Sequence, residues 1–166
     1  MIILGIDPGL NVTGYGAITA QGRQIQLITA GDIRPPRRQP LAERLRYLHE
    51  ALDALLARQR PDAAVLEMVF THQDYVSTAA LMAHARGVAC LAVQQHGVAL
   101  IEYPTARVKQ ALTGHGGATK QQVARMVAQW VGGSEASWSF DATDALALAI
   151  AHAHMRGQQP LAALRR

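Results

Sequence analysis

Residues 1–9, Met1-Ile-Ile-Leu-Gly-Ile-Asp7-Pro-Gly9, form an apolar run that ends in a carboxylate and is then broken by proline and glycine. The isoleucine and leucine content of residues 1–7 predicts a buried β-strand. Pro8 is stiff and Gly9 is permissive, so the chain is expected to turn sharply after Asp7. An aspartate held at the point where a buried strand leaves the core is a candidate functional side chain.

The segments that follow predict two more strands and then helices alternating with strands. TGYGAITA and RQIQLITAGDI are separated by a polar, glycine-containing turn, as in a β-hairpin. Leucines recur at helical spacing after Pro40, and the last helical segment is apolar on nearly all sides after its first turn. The predicted strands are 1–7, 13–20, 23–33, 63–67 and 97–103, and the predicted helices are 40–58, 75–95, 105–112, 119–131 and 140–155.

This order of elements is typical of an α/β fold. We expect a five-stranded mixed sheet, with three antiparallel strands followed by parallel ones, flanked by helices on both faces. In such a sheet, functional side chains collect at the carboxyl ends of the parallel strands. Two predicted strands end in carboxylates, Asp7 and Glu67. They are the first indication of a site.

The length and composition indicate one globular domain. The chain has 166 residues, and we expect the domain at residues 1–157 and a basic tail at 158–166. No apolar run reaches the ~18 residues of a membrane span, and no basic stretch precedes the first apolar segment. A cytoplasmic location without a membrane partner is therefore predicted. The single cysteine, Cys90, excludes an internal disulfide and a cysteine-based zinc site.

The charge balance favours a polyanionic partner. The formal net charge is +4, and of sixteen basic residues only Lys109 and Lys120 are lysines. Both lie in one segment, TARVKQALTGHGGATKQQV, which concentrates compact positive charges in one place. The alternative is that a general preference for arginine left two lysines close together by chance.

Four carboxylates from three distant segments suggest a metal site. Asp141 and Asp144 are three residues apart at the start of the last predicted helix, so they lie on one face of it. If they meet Asp7 and Glu67, the four charges repel one another and call for cations. Oxygen ligands without cysteine favour Mg²⁺ or Mn²⁺. Two such ions can hydrolyse a phosphodiester by activating a water and stabilising the leaving oxygen.

A structural explanation of the same acids stays open at this point. Asp7 can simply end a strand, Asp141 and Asp144 can stabilise a helix N-terminus, and Glu67 can be solvated.

Five ordered blocks cover nearly the whole chain and carry a family resemblance. They are GIDPGLNVTGYGAI, AVLEMVF, HARGVA, EYPTARVKQALTGHGGATKQQV and DATDALALAIAHAH. In these blocks the chain resembles RuvC, the bacterial Holliday junction resolvases of the ribonuclease H-like superfamily. The resemblance implies a homodimeric, divalent-metal-dependent endonuclease that cuts four-way DNA junctions by paired symmetric nicks, leaving 5′-phosphate and 3′-hydroxyl ends. It also implies that the branch-migration complex RuvA-RuvB is a partner.

The resemblance also assigns residues. The family's catalytic and metal-binding acids correspond to Asp7, Glu67, Asp141 and Asp144, with Mg²⁺ or Mn²⁺ as cofactor, two ions per site. By analogy Asp7 bridges the two ions, Glu67 serves one, and Asp141 with Asp144 serves the other.

The expected DNA-binding residues come from several segments, and Phe70, Lys109 and Lys120 are the ones that the resemblance implies. Phe70 matches an aromatic that stacks on a base, although a core or interface ring is the alternative. His115 lies in a glycine-rich loop whose backbone can approach phosphates, and a solvated histidine is equally compatible with that position. The full set is Phe70, Lys109, Lys120, His115 and Arg86.

The match is looser in the helix predicted at 75–95. Asp74 stands where the family usually has Asn, and Met82 and Ala83 stand where it has a Leu-Gly pair, which affects the expected DNA-facing and interface surfaces. Small residues one turn apart, Ala79, Ala83 and Gly87, make this helix the expected dimer interface.

Two other classes of protein compete with this interpretation. An Asp-x-Gly loop after a first strand also occurs in nucleotide binders of the actin and hexokinase type, but that architecture needs two such domains. A non-catalytic DNA-binding module of the same fold usually lacks at least one of the four acids.

Overall fold

The computed structural model of the protein describes residues 1–68, 76–134 and 137–157, without the side chains of residues 76–79. Every predicted element is present, with ends within two residues of the prediction. The strands are β1 Ile2–Asp7, β2 Thr13–Gln21, β3 Gln24–Ile33, β4 Ala63–Glu67 and β5 Ala99–Tyr103. The helices are α1 Leu41–Gln59, α2 Val76–Gln95, α3 Thr105–Thr113, α4 Lys120–Val131 and α5 Phe140–Gly157.

The five strands form one mixed sheet in the order β3-β2-β1-β4-β5. Strands β1, β2 and β3 pair antiparallel as a meander, whereas β1 with β4 and β4 with β5 pair parallel. This confirms the predicted fold class. Strand β1 is the central strand, so it carries Asp7 to the middle of one sheet edge.

Helices cover both faces of the sheet, as the alternation of side chains along β1 requires. Leu4 and Ile6 join the hydrophobic cluster under α1 and α2, whereas Ile3 joins the cluster formed with α3, α4 and α5. Helix α5 is buried along most of its length and lies directly on the sheet. A Cβ on Gly5 would overlap the carbonyl oxygen of Ala145, so only glycine permits so close an approach at that point of β1.

The helix ends follow from local sequence. Thr119 caps α4 through a capping box with Gln122: its Oγ1 accepts the N–H of Gln122 at 3.3 Å, and the Gln122 side chain accepts the N–H of Thr119 at 2.8 Å. Gly114 and Gly132 end α3 and α4 in the left-handed conformation that glycine adopts without strain. Of the part of the chain that the structure describes, no helix is both long enough and apolar enough to cross a bilayer.

Candidate active site

Two carboxylates leave the sheet side by side. Asp7 is the last residue of β1 and Glu67 is the last residue of β4, and these parallel neighbours pair Ile6 with Leu66 just before the two acids. Asp7 lies on the same face of β1 as Ile3, and Glu67 lies on the same face of β4 as Val65. Ile3 and Val65 both belong to the hydrophobic cluster beneath α5. Both acids are half-buried and directed to the α5 side of the sheet edge.

The N-terminus of α5 brings two more carboxylates to the same place. Gly14 lies opposite Asp7 in the antiparallel β1–β2 pair, and a Cβ on Gly14 would overlap the carbonyl group of Asp141. The first turn of α5 therefore rests on the strand next to Asp7. Asp141 and Asp144 both act electrostatically on Asp7 from that turn. The four acids singled out in the sequence thus converge at one edge of the sheet.

The convergence changes the protonation of the acids. Burial raises the pKa of Asp7 to about 7, and repulsion from Asp144, Asp141 and Glu67 contributes in that order. Burial and then Asp144 raise the pKa of Glu67. Burial is also the main reason that the pKa of Asp144 is raised. Because each neighbouring charge disfavours ionisation of the others, the site is suited to bind cations.

Both lysines face the acids. A cavity of about 220 Å³ is lined by Glu67, Lys109, Lys120 and Asp144, over an apolar floor that includes Leu148. The charges of Lys109 and Lys120 oppose the rise in pKa of both Glu67 and Asp144, and Lys120 does the same for Asp7. The two lysines therefore lie within electrostatic reach of the carboxylates.

The acids do not form a closed metal cage. Across residues 1–68, 76–134 and 137–157, no three carboxylate, histidine or cysteine side chains are close enough to hold an ion by themselves. Mg²⁺ typically takes only one or two protein carboxylates and completes its shell with waters and substrate phosphate oxygens. The set of half-buried carboxylates, open to solvent and rich in negative charge, therefore fits Mg²⁺ or Mn²⁺ better than an ion that needs an all-protein shell.

Thr105 is a site residue that sequence reasoning missed. Its hydroxyl donates a hydrogen bond to Oε1 of Glu67, which fixes the orientation of that carboxylate. The signal that could have found it is topological. Glu67 pairs with Tyr103 across the parallel β4–β5 ladder, so a hydroxyl two residues after Tyr103 emerges beside Glu67.

Arg86 is engaged within the protein. Its Nη1 donates to the carbonyl oxygen of Glu67 at 2.5 Å, and its other Nη atom forms an ion pair with Glu102. The side chain is only 16% exposed. A guanidinium with these partners holds the end of β4 in place, and the DNA contact expected of Arg86 stays a prediction.

The remaining sequence candidates fall into different settings. Phe70, Asp74 and the tail 158–166 lie outside the described residues. His115 is exposed in the loop after α3, where its backbone N–H donates to Oγ1 of Thr113 at 3.2 Å.

Two histidines of α5 are two residues apart in the sequence and so point in different directions from the helix. His152 lies in the core with its Nδ1 2.8 Å from the Tyr103 hydroxyl, and His154 meets the carbonyl oxygen of Ala111 at 3.1 Å. These separate partners disfavour a metal ion shared between the two rings.

The raised pKa values predict an unusual pH dependence for the metal-free protein. Folded Asp7 keeps a proton up to about pH 7, whereas its ordinary pKa is 3.8, so the folded state binds more protons between these values. The free energy of unfolding in EDTA should therefore fall as the pH rises from about 4 to about 7, and level off above that. A rise of one pKa unit corresponds to about 1.4 kcal/mol, and we expect the free energy of unfolding to fall by at least this amount.

Urea unfolding at several pH values in EDTA measures this slope. Saturating Mg²⁺ should flatten it, because a bound cation favours the ionised acids. A free energy of unfolding that rises between about pH 5 and 7 in EDTA would contradict the assigned cause.

Comparisons with known proteins agree with one another. Residues 3–152 match the family model described as crossover junction endodeoxyribonuclease RuvC. A protein of that name from Halorhodospira halophila is 47% identical over 154 residues, covering 93% of this chain and 90% of the relative. The structure of Thermus thermophilus RuvC superimposes with a TM-score of 0.85 at 33% identity, covering 94% of this chain and 95% of that one. The T. thermophilus RuvC complex with a Holliday junction substrate gives a TM-score of 0.87 at 32% identity, with 95% of each chain covered.

Proposed function

The chain belongs to the RuvC family of crossover junction endodeoxyribonucleases, and we propose that it is a divalent-metal-dependent nuclease that resolves four-way DNA junctions in recombination and repair. The observation that carries the proposal is the meeting of Asp7, Glu67, Asp141 and Asp144 at one sheet edge, with Lys109 and Lys120 beside them. Negative groups that need cations, next to positive groups that attract phosphate, suit hydrolysis of a DNA backbone.

The four acids are the residues that would hold Mg²⁺ or Mn²⁺, with two ions expected per site. Bound ions would supply an activated water and stabilise the leaving 3′-oxygen; the new P–O bond to water replaces the P–O3′ bond and leaves 5′-phosphate and 3′-hydroxyl ends. The protein's own residues orient the reacting groups. Thr105 holds one oxygen of Glu67, Arg86 holds the strand end that carries it, and both lysines attract the phosphate.

The DNA interface extends from this edge. Lys109 and Lys120 are expected to bind phosphates next to the cut, and the exposed His115 lies in the loop between their helices. Phe70 is proposed to stack on an unpaired base of the opened crossover. We assign residues 1–157 to one nuclease domain, 158–166 to a basic tail, and the protein to the cytoplasm with RuvA-RuvB as partners.

A second copy of the chain is the proposed partner of α2. Ala83, Gly87 and Leu91 follow one another at four-residue intervals on this helix and are all exposed, and Leu91 is 52% exposed. Leu81 and Met82 add exposed apolar surface. Since a four-way junction presents two strands related by approximate two-fold symmetry, a two-fold dimer places one site at each.

The deciding experiment uses a synthetic four-way junction with Mg²⁺ or Mn²⁺, beside linear duplex and an RNA–DNA hybrid. Symmetric nicks on the junction alone are the expected result. Cleavage of the hybrid alone would instead indicate a ribonuclease H activity. Binding of ATP without cleavage of any of these substrates would favour the nucleotide-binding alternative.

Removing Lys120 should weaken junction binding and slow cleavage together. A Lys120→Ala variant loses one phosphate contact, so we expect about 10-fold weaker junction binding. The slope of log affinity against log salt concentration should also become smaller by about one. Its pH optimum should also move to higher pH, because Lys120 lowers the pKa of Asp7, Glu67 and Asp144. Junction affinity at several salt concentrations and a pH profile of cleavage measure both effects.

Arg46→Ala is the charge-matched control for this experiment. Arg46 is exposed on α1, where it pairs with Glu50. A salt dependence that changes equally in the two variants would remove Lys120 from the interface.

Introducing charge on the exposed side of α2 should separate the proposed dimer. A Leu91→Glu variant buries a carboxylate at the interface, so light scattering at micromolar concentration is expected to give a monomer that no longer makes paired nicks in one binding event. Leu100→Glu, at an exposed site on β5, is the control. A Leu91→Glu dimer with normal paired nicking would place the interface elsewhere.

A further inference from the structure

One row of residues crosses three strands beneath the start of α5. Asp7 on β1 lies opposite Gly14 on β2, and Gly14 lies opposite Asp32 on β3. Directly opposed residues in antiparallel strands point to the same face of a sheet, so Asp32 faces the same side as Asp7. Gly14 between them is where the backbone of α5 touches the sheet.

Ser139 fastens α5 to the outer end of this row. Its hydroxyl donates a 2.5 Å hydrogen bond to Oδ1 of Asp32, 107 positions away in the sequence. Oγ of Ser139 also accepts the N–H of Ala142 at 3.1 Å, so Ser139 is the N-cap of α5. Its carbonyl oxygen accepts both the N–H and the hydroxyl of Thr143, at 3.0 and 2.8 Å.

Asp32 is itself held in place. Its second oxygen forms a 2.6 Å ion pair with Arg34, and its side chain is only 15% exposed. The carboxylate therefore has a fixed orientation at the helix N-terminus, where the helix dipole also favours negative charge.

We propose that Asp32 and Ser139 are positioning residues that fix the first turn of α5, and with it Asp141 and Asp144, at the distance from Asp7 that cation binding needs. The inference rests on the proposed function only for the role of the four acids. When these acids are ionised and no cation is bound, they repel one another across the gap between α5 and β1. The Asp32–Ser139 bond resists that force on the far side of the Gly14 contact, within three residues of Asp141.

The test compares four variants of the full-length protein. Asp32→Ala and Ser139→Ala each remove the link, whereas Asp32→Asn keeps an acceptor oxygen and Ser139→Thr keeps a hydroxyl. Calorimetric titration with Mn²⁺ in the absence of DNA should show about 10-fold weaker binding for both alanine variants, as is typical for residues that orient metal ligands. The two conservative variants should stay within about twofold of wild type, and the double alanine variant should be no weaker than the single ones.

A merely structural role gives a different pattern. Asp53→Ala removes the 2.8 Å contact between Asp53 and His96 and serves as a destabilised control far from α5. Lower thermal stability in EDTA with Mn²⁺ affinity unchanged in the alanine variants, as expected for Asp53→Ala, would overturn the proposal. Because the titration uses no junction, it remains decisive if the wild-type protein turns out to cut another substrate.

Discussion

An Asp7→Asn variant is expected to bind a four-way junction within about twofold of wild type and to cleave it at least ~1000-fold more slowly. Asn has nearly the same shape as Asp, so the β1 strand and the lysines beside it should be unaffected. What is lost is the charge at the centre of the site, since Asp7 is the acid that Asp144, Asp141 and Glu67 all influence. Binding by gel shift in EDTA and single-turnover cleavage in Mg²⁺ measure the two effects separately.

The matched control is Asp62→Asn. Asp62 accepts the N–H of Ile2 at 2.6 Å at the opposite end of β1, and an asparagine oxygen can accept the same bond. The Asp62→Asn variant should cleave the junction at the wild-type rate. Asp7→Asn should also be more stable than wild type in EDTA at about pH 8, because it no longer buries an ionised carboxylate. An Asp7→Asn protein that cuts within about tenfold of wild type would remove Asp7 from the mechanism.

The sequence was sufficient to predict most of the fold because its signals are local. Proline and glycine mark the ends of most elements, and the periods of two and of three to four residues distinguish strands from helices between them. The rule that sites gather at the carboxyl ends of parallel strands also predicted that Asp7 and Glu67 lie at the same edge of the sheet. These arguments use only neighbours in sequence and general chain geometry.

The contacts that shape the site could not be predicted in the same way. Gly5 and Gly14 look like weak points in strands, and only the passage of α5 across the sheet gives a reason for them. Arg86 has the charge of a DNA ligand, but its partner Glu102 comes from β5 and is invisible in the local sequence. The Asp32–Ser139 bond likewise depends on how α5 docks on the sheet.

The buried carboxylates of the site destabilise the metal-free protein when they are ionised. Burial raises the pKa of Asp7, Glu67 and Asp144 alike, so each carboxylate is less easily ionised where it stands than in water. A bound cation reverses this preference. Function and stability should therefore respond in opposite directions when one of these charges is removed, which an ordinary destabilising mutation does not do.

The Asp144→Asn variant tests most directly whether removing one of these charges lowers activity and raises stability. Asp144 is the acid whose charge raises the pKa of both Asp7 and Glu67, so its removal should lower both values. We expect cleavage at least ~100-fold slower than wild type, and yet a higher free energy of unfolding in EDTA at about pH 8, with a shallower decline between about pH 4 and 7.

The comparison with Asp53→Asn separates this effect from a general change in stability. Asp53 pairs with His96 on the side of the sheet covered by α1 and α2, and its replacement should leave cleavage at the wild-type rate. Slow cleavage by Asp144→Asn with lower stability at about pH 8 would mean that Asp144 stabilises the fold, and that repulsion among the acids is not what the cation relieves. Slow cleavage with higher stability is the combination expected of a charge that is retained for binding cations and is unfavourable without them.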